Sequence, residues 1–309
     1  MTAPSSIPTP LDLSGDAPRA LFSYVCGAWV RGAGKPTSLH HAVTGAVIAE
    51  TGTGGIDFRA MVEHARTVGG PALRAMTFHQ RARMLKALAQ YLMAHKDAYY
   101  PVSAGTGATK RDGWVDIEGG IGTLFAYASR GRREFPDETF HVEGPTEPLS
   151  KGGTFVGRHI CVPLEGVAVH INAFNFPVWG MLEKLAPTLL AGMPAIVKPA
   201  TVTSFLTEAV FAGMIESGIL PAGSVQLLCG GAEPFYNFLA LSDWLYGRTH
   251  QTHAISRPRL RELLLEYLTE VLNHPAAAVD ALTKHDALNS RRNSKEDGPQ
   301  RQSRRNNQK

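Results

Sequence analysis

The sequence predicts an α/β protein built on an incomplete doubly wound parallel sheet, a βαβαβ half, with an N-terminal helical region and a protruding β-hairpin. Three observations lead to this fold class. Two consecutive strand–helix–strand units follow Gly166, helical patterns precede them, and a stretch of alternating apolar and polar residues lies in between. Three parallel strands joined by two right-handed crossover helices form a mononucleotide-binding half.

The first strand–helix–strand unit lies in residues 166–200. An apolar strand at 167–171 passes through a turn into a helix, and a second strand at 195–197 ends at Lys198. Apolar residues recur at helical spacing between the strands: Met181, Leu182, Leu185 and Leu189. The same order follows once more, with a helix at 203–217 and a strand at 224–229, so we predict a Rossmann-like half over 161–231.

Ligands of such sheets bind beyond the carboxyl ends of the strands. We therefore predict one site from the three clusters that follow the strands. They are Ile171, Asn172, Ala173, Phe174 and Asn175 after the first strand, Lys198, Ala200 and Thr201 after the second, and Gly230 and Gly231 after the third.

The N-terminal part contains a flexible arm at 1–20, rich in Pro, Ser and Thr, and a helical and strand region at 21–139. Strands are predicted at 23–30 and 46–50, separated by Gly and Pro turns. We expect helices at 57–68, 77–100 and 116–127. Asp57 is the predicted cap of the first helix, and Thr77 with Gln80 fits a capping box at the start of the second.

Residues 140–160 alternate apolar and polar side chains around Pro and Gly, which is typical of a long hairpin. Its shape suggests an oligomerisation element, so a homo-oligomer is one expected assembly. Residues 232–288 differ in character and form a divergent helical continuation, with an amphipathic helix at 259–272. Half a doubly wound sheet leaves a strand edge uncovered, and this helix is one candidate to cover such surface.

Residues 289–309 have the composition of a disordered basic tail. The tail contains seven Lys or Arg and two acids, a charge of 7 − 2 = +5, so the first 288 residues sum to +4 − 5 = −1. The basic pI of the chain therefore describes its tail and predicts no specific binding of nucleic acid.

Three widely spaced cysteines form neither a metal pattern nor a disulfide framework, which favours a reducing cytoplasm. The N-terminus lacks the basic and apolar segments of a secretory signal. No apolar run reaches membrane-spanning length, so the sequence predicts a cytoplasmic protein with neither a membrane partner nor a metal site.

The turn INAFNFPVWG followed by AGMPAIVKPA resembles the aldehyde dehydrogenase superfamily, whose turn usually carries Trp-Asn-Phe-Pro and whose next strand ends in Lys-Pro. Further pieces resemble its branch that oxidises CoA-linked semialdehydes in bacterial aromatic-acid degradation: SYVCGAWV, GGPALRAMTFHQRARML, DIEGGIGTL and the hairpin. The resemblance covers about residues 20–231. It implies an NAD(P)-dependent oxidoreductase that acts on a small aldehyde, with a CoA-linked semialdehyde as one candidate.

The resemblance also implies residue roles. Asn175 would donate its side-chain amide to the oxyanion that forms when a thiolate attacks the aldehyde, whereas an isolated Asn in a turn more commonly satisfies local backbone groups. Lys198 would reach the adenosine ribose of the cofactor. Many NAD-preferring members carry a glutamate where Thr201 stands here, and its absence favours NADP over NAD.

Family catalysis also requires a cysteine nucleophile and a general-base glutamate in a Glu-Leu-Gly-Gly type motif, both well beyond the third strand. After Gly231 the sequence contains neither that motif nor any cysteine, and Cys229 is better explained as a small buried residue. Three functions stay open: an active dehydrogenase, a truncated non-catalytic member that keeps part of a cofactor pocket, and an interaction protein that pairs with a full-length homologue.

Overall fold

The computed structural model describes residues 17–232, 234, 235 and 238, and these residues contain ten β-strands and eight α-helices. The strands are β1 (Arg19–Ala20), β2 (Ser23–Val25), β3 (Ala28–Val30), β4 (Thr37–His40), β5 (Val47–Thr51), β6 (His141–Pro148), β7 (Val156–Cys161), β8 (Ala168–Ile171), β9 (Ala195–Lys198) and β10 (Val225–Leu227). The helices are α1 (Phe58–His64), α2 (Gly70–Arg74), α3 (Phe78–His95), α4 (Tyr99–Ala104), α5 (Lys110–Trp114), α6 (Gly120–Glu134), α7 (Pro177–Leu190) and α8 (Ser204–Glu216).

The central sheet has the strand order β3-β2-β10-β9-β8. β8, β9 and β10 are parallel neighbours joined by α7 and α8, which confirms the predicted βαβαβ half. The register places His170 beside Val197 and Ile171 beside Lys198. Because paired residues share a face, His170 and Val197 lie on one face of the sheet while Ile171 and Lys198 lie on the other.

The main hydrophobic core lies on the face of the sheet that α7 and α8 cover. α7 buries the predicted apolar stripe completely, and α8 is apolar nearly all round. α3 and α6 pack on these helices as an outer layer. Core residues from all four helices include Leu85, Leu124, Leu185 and Phe211. This layering sets the position of the first turn of α7, from which the candidate site is built.

An N-terminal hairpin covers the edge of the sheet that the sequence leaves open. β2 pairs antiparallel with β10 through Tyr24 and Leu227, and β3 continues the sheet. The Ser23 hydroxyl accepts a hydrogen bond of 3.0 Å from the Cys229 amide, and the Gln226 side chain accepts one of 2.9 Å from the Cys26 amide. The β10 edge is therefore paired within the described residues without any contribution from 259–272.

The N-terminal helices begin where their capping residues predict. The Asp57 carboxylate accepts a hydrogen bond from the Ala60 amide, and Thr77 and Gln80 form a reciprocal capping box. Two π-helical turns, Ala65–Gly69 and Val115–Gly119, interrupt otherwise continuous helices and were not predicted. A π-turn adds a residue to one helical turn without a distinct composition, so sequence periodicity does not reveal it.

The predicted end of the N-terminal arm is wrong at its last two residues, because Arg19–Ala20 forms β1 and pairs parallel with β5. β4 was also missed, and it pairs antiparallel with β5. The side chain of Arg19 forms an ion pair with the buried Glu208 of α8, which holds this segment against the sheet domain. A strand of two residues is too short for a pattern of alternation to predict.

The predicted hairpin is confirmed: β6 and β7 pair antiparallel as a separate two-stranded sheet. Large apolar side chains on and beside it are exposed: Phe140, Leu149, Phe155, Val156, Ile160, Val162 and Leu164. The remaining predictions, residues 1–16 of the arm, the 259–272 helix and the 289–309 tail, lie outside the described residues. Among the described helices, none combines the length and apolar character needed to cross a membrane.

Candidate functional site

The three predicted clusters meet at one edge of the sheet. Ile171 and Lys198 are register partners at the ends of β8 and β9, and the backbone N–H of Asn172 donates to the Lys198 carbonyl over 3.0 Å. The Thr201 hydroxyl donates to the Gly230 carbonyl over 2.9 Å, which joins the second cluster to the third. Parallel strands thus bring residues that are separated by up to 60 positions into one continuous edge.

The turn between β8 and α7 is presented to solvent. Its predicted residues are exposed: Ala173, Phe174 and Asn175. Phe176 has a left-handed backbone with φ of 68°, and Pro177 begins α7. The Thr203 hydroxyl donates to the Phe174 carbonyl over 3.2 Å and so fixes the turn. The Asn175 side chain makes no hydrogen bond to a described residue, which leaves its amide available to a ligand.

Asp116 anchors the beginning of α7. The side chain is 4% exposed, and its carboxylate accepts hydrogen bonds from the Val178 amide at 3.1 Å and the Trp179 amide at 2.7 Å. Burial raises the pKa of the Asp116 carboxyl to about 6, although the two amide donors oppose this shift. Sequence reasoning missed this contact, because Asp116 and its partners are 62 positions apart and one acid at a helix start is common.

Lys198 is buried at the end of β9, with 1% of its surface exposed. Its ammonium group donates to the Pro199 carbonyl over 2.5 Å, and burial lowers the pKa of the amine. Ala200 follows in a half-buried position. The ammonium therefore lies at the edge without a carboxylate partner among the described residues, where it would respond strongly to an approaching hydroxyl or phosphate.

Asn172 and His170 are buried polar residues on the same face of β8, since strand side chains alternate. Asn172 is 6% exposed, and no described residue bonds either atom of its amide. His170 accepts or donates a hydrogen bond of 3.1 Å with the Thr188 hydroxyl, while its Nδ1 has no partner in the described part of the chain. Burial and the charge of Lys184 lower the pKa of His170 to about 4. Buried polar atoms of this kind normally have partners, so the amide is free to bind water or a ligand.

The glycines after β10 allow close approach. Gly230 has φ of +119°, and a side chain there would meet backbone atoms of Gly52 at 2.9 Å. Gly231 has open space around its Cα. The segment that follows β5 thus passes directly against the third cluster and closes one side of the edge.

Burial makes two of the three described thiols poor nucleophiles. Cys229 is buried, and burial raises the pKa of its thiol well above the ordinary value. Burial also raises the pKa of the Cys26 thiol, with Asp57 adding to the effect. Cys161 is exposed at the end of β7. Nor do the described residues contain a cluster of three or more His, Cys, Asp or Glu that could hold a metal ion.

Comparison with known proteins identifies the family. Residues 29–242 match the model of the aldehyde dehydrogenase family. The chain is 42% identical over 224 residues to a 3,4-dehydroadipyl-CoA semialdehyde dehydrogenase from Aromatoleum evansii, an alignment that covers 72% of this chain and 43% of the relative.

Solved structures share the fold. Aldehyde dehydrogenase 21 from Physcomitrella patens, in complex with the reaction product succinate, superposes with a TM-score of 0.61 at 20% identity, over 74% of this chain and 46% of that one. An NADP-dependent glyceraldehyde-3-phosphate dehydrogenase from Bacillus halodurans, complexed with NADP, gives a TM-score of 0.58 at 19% identity, over 72% and 46%. The chain spans less than half the length of the relatives it matches.

Proposed function

The chain belongs to the aldehyde dehydrogenase family, and on that premise we propose that it binds a nicotinamide dinucleotide at the carboxyl edge of β8, β9 and β10. One observation carries this proposal: the three clusters form a connected edge, and the buried Lys198 lies on it without an acidic partner among the described residues. Ribose hydroxyls and phosphates are suitable partners for such a donor.

The expected role of Asn175 is to donate to the oxyanion of an aldehyde adduct. Its exposure at the tip of a fixed turn supports this role, because a donor that is already oriented stabilises charge that develops only in the transition state. Removing one such donor typically costs about 3–4 kcal/mol of transition-state stabilisation. In this chain alone the donor would have no nucleophile to serve.

NADP is the proposed cofactor, with NAD as the alternative. Thr201 follows Lys198 by three residues and its hydroxyl donates to the Gly230 carbonyl, so no carboxylate from this position repels a 2′-phosphate. A phosphate there would face the Lys198 ammonium. A carboxylate at the same point would favour the unmodified ribose hydroxyls of NAD.

We expect no aldehyde oxidation by this chain alone. The sequence after Gly231 contains no cysteine, and the buried Cys229 thiol resists ionisation. A thiolate and not a thiol is the nucleophile of such a reaction. The proposed aldehyde is a CoA-linked semialdehyde, as the name of the Aromatoleum evansii relative indicates for that protein.

Thermal unfolding of the full chain with NADP and with NAD tests the proposal. A ligand that binds only the folded state stabilises it by about 2.7 kcal/mol at one hundred times its Kd. We expect NADP to raise the Tm without formation of NADPH when an aldehyde is added. Lys198→Ala should abolish the shift and the exposed control Lys86→Ala should keep it. Turnover by the wild-type chain, or a Tm that neither dinucleotide changes, would refute the proposal.

A second function, pairing with a full-length homologue, rests on the exposed apolar hairpin, where Phe155 is 64% and Ile160 is 58% exposed. Co-expression with the Aromatoleum evansii relative and affinity purification test it. Replacing both residues with Ser should abolish co-purification, whereas Val43→Ser, at another exposed apolar position, should not. Equal recovery of the partner by all variants would exclude the hairpin as the contact.

A further inference from the structure

A large cavity is lined by α4, α5 and the turns beside them, outside the edge described above. Its volume is about 1000 Å³, and none of the three clusters lines it. This volume is at the upper end of the range of small-molecule sites, which is about 300–1000 Å³. The residues used below, all in its wall, are Lys96, Tyr100, Lys110, Arg111, Trp114 and Glu118.

Glu118 organises one wall of the cavity. Its carboxylate accepts hydrogen bonds from the Lys96 ammonium at 2.5 Å and from the Tyr100 hydroxyl at 2.8 Å. Trp114 also lines the cavity and is 55% exposed. Trp114 is thus an aromatic surface open to the cavity, as expected of a side chain on which a planar ligand stacks.

The cavity also presents unpaired positive charge. Lys110 and Arg111 are exposed, and neither forms a salt bridge with a described residue. Two carboxylates lie nearby: Asp97 in the cavity wall, and Asp112, which Thr109 holds through its hydroxyl and amide. Because Glu118 is already paired with Lys96, Asp97 is the one other carboxylate among the lining residues, against the two cations Lys110 and Arg111. An anionic group is the complementary partner of this rim.

The helical turn that contributes Glu118 to the cavity packs against the first turn of α7. Glu118 is followed by Gly119, whose Cα faces the Trp179 ring so closely that a side chain there would meet it at 2.3 Å. Trp179 lies on the first turn of α7, directly after the turn. Glu118 itself belongs to the π-helical turn Val115–Gly119, a kind of irregularity that is frequent at functional sites.

We propose that this cavity binds the phosphorylated adenosine end of coenzyme A, with adenine stacked on Trp114 and phosphate groups paired with Lys110 and Arg111. This inference rests on the proposed function, because it assigns a binding site to the coenzyme A part of a CoA-linked aldehyde. An aromatic plane beside two cations matches the chemistry of a nucleotide with several phosphates.

Isothermal titration of the full chain with coenzyme A, adenosine 3′,5′-bisphosphate and inorganic phosphate tests the site. We expect the first two to bind, and Trp114→Ala and the double change Lys110→Glu with Arg111→Glu each to weaken binding at least tenfold. Trp114→Phe should recover much of the affinity. The matched reversal Arg83→Glu with Lys86→Glu, exposed on α3, should not affect it. Binding of inorganic phosphate with the same affinity would overturn the adenosine assignment.

Adding NADP separates this site from the dinucleotide edge. The two ligands should bind independently, and the Trp114→Ala chain should keep its NADP-dependent rise in Tm. Competition between coenzyme A and NADP would place both at the edge and overturn the cavity site. If coenzyme A does not bind while NADP does, the cavity proposal alone fails. Trp114-dependent binding of coenzyme A without any NADP effect would support the cavity and refute the dinucleotide proposal.

Discussion

Asp116 and His170 are buried near the two ends of the β8–α7 connection. Burial raises the pKa of Asp116 and lowers the pKa of His170. The Asp116 pKa is raised from 3.8 to about 6, so the folded chain binds more protons than the unfolded chain in that interval. Its contribution to the free energy of unfolding therefore falls as the pH rises from 4 to 6. The His170 pKa is lowered from 6.5 to about 4, so its contribution rises over nearly the same interval.

Asp116→Asn should reveal the hidden contribution of His170. The amide keeps an acceptor for the Val178 and Trp179 amides but does not titrate, so only the rising contribution remains. Between pH 4 and 6 the free energy of unfolding should climb more steeply than in the wild type, by up to about 3 kcal/mol for two pKa units. His170→Gln should produce the opposite slope. Urea unfolding across this range measures both, and parallel profiles for Asp116→Asn and wild type would contradict the assignment.

Thr201→Glu should reverse the cofactor preference. A carboxylate beside Lys198 repels a 2′-phosphate and accepts hydrogen bonds from ribose hydroxyls, so we expect the ratio of the Kd for NADP to that for NAD to rise at least tenfold, about 1.4 kcal/mol. Thr201→Val is the control, because it removes the bond to Gly230 without adding charge. An equal loss of affinity for both dinucleotides in the glutamate variant would show that the position does not contact the 2′ group.

At the scale of single residues, local motifs could be predicted and distant contacts could not. Lys198 and Asn175 follow apolar strands and turns whose patterns lie within a few residues, and the caps at Asp57 and Thr77 were found for the same reason. The partners of Asp116 belong to an element 62 positions away. Nothing in the sequence around Asp116 distinguishes it from an ordinary solvent-facing acid.

At the scale of elements, the close approach of α6 to α7 depends on small residues. A side chain at Gly120 would meet the Trp179 backbone at 2.8 Å and 3.0 Å, whereas one at Gly122, half a turn further on, would meet nothing within 4 Å. The glycines of this segment therefore affect the stability of the fold differently. One glycine permits helix packing, and another only weakens the helix.

Gly120→Ala and Gly122→Ala should consequently change stability in opposite directions. We expect Gly120→Ala to lower the free energy of unfolding by about 1–3 kcal/mol, because backbone must move to admit the methyl group. Gly122→Ala should raise it by about 0.5–1 kcal/mol through helix propensity. Thermal and urea unfolding of the two variants measure this. A stabilised Gly120→Ala chain would mean that α6 and α7 are further apart than described.

At the scale of the whole molecule, the order of the parallel strands followed from the strand–helix–strand pattern, but the closing of the sheet did not. Crossover connections obey a rule of handedness that applies to any sequence. The pairing of β2 with β10 joins segments about 200 residues apart, and many short strands could fill that place equally well by pattern. Long-range contacts of this kind are specified by the combined packing of the core and by few recognisable residues.

Among the polar contacts that hold the N-terminal strands to the sheet, we expect loss of the ion pair between Arg19 and Glu208 to lower the free energy of unfolding most. Glu208 is 1% exposed and also accepts a hydrogen bond of 2.9 Å from the Phe22 amide at the entrance to β2. Glu208→Ala leaves the cation and the amide without an acceptor, so we expect a loss of about 3–5 kcal/mol. The exposed pair of Arg130 and Glu134 provides the control, since Glu134→Ala should cost less than about 1 kcal/mol.

Combining Arg19→Met with Glu208→Gln distinguishes two causes of lost stability: an unpaired buried charge and the detachment of the N-terminal strands from the sheet. With no cation left unpaired, the double variant should regain most of the stability lost in Glu208→Ala, because an apolar or neutral substitute for a buried pair is often well tolerated. Urea unfolding gives the free energies, and size-exclusion chromatography reports whether an opened β10 edge leads to association. If Glu208→Ala unfolds at the same urea concentration as the wild type, the N-terminal strands are not held through α8.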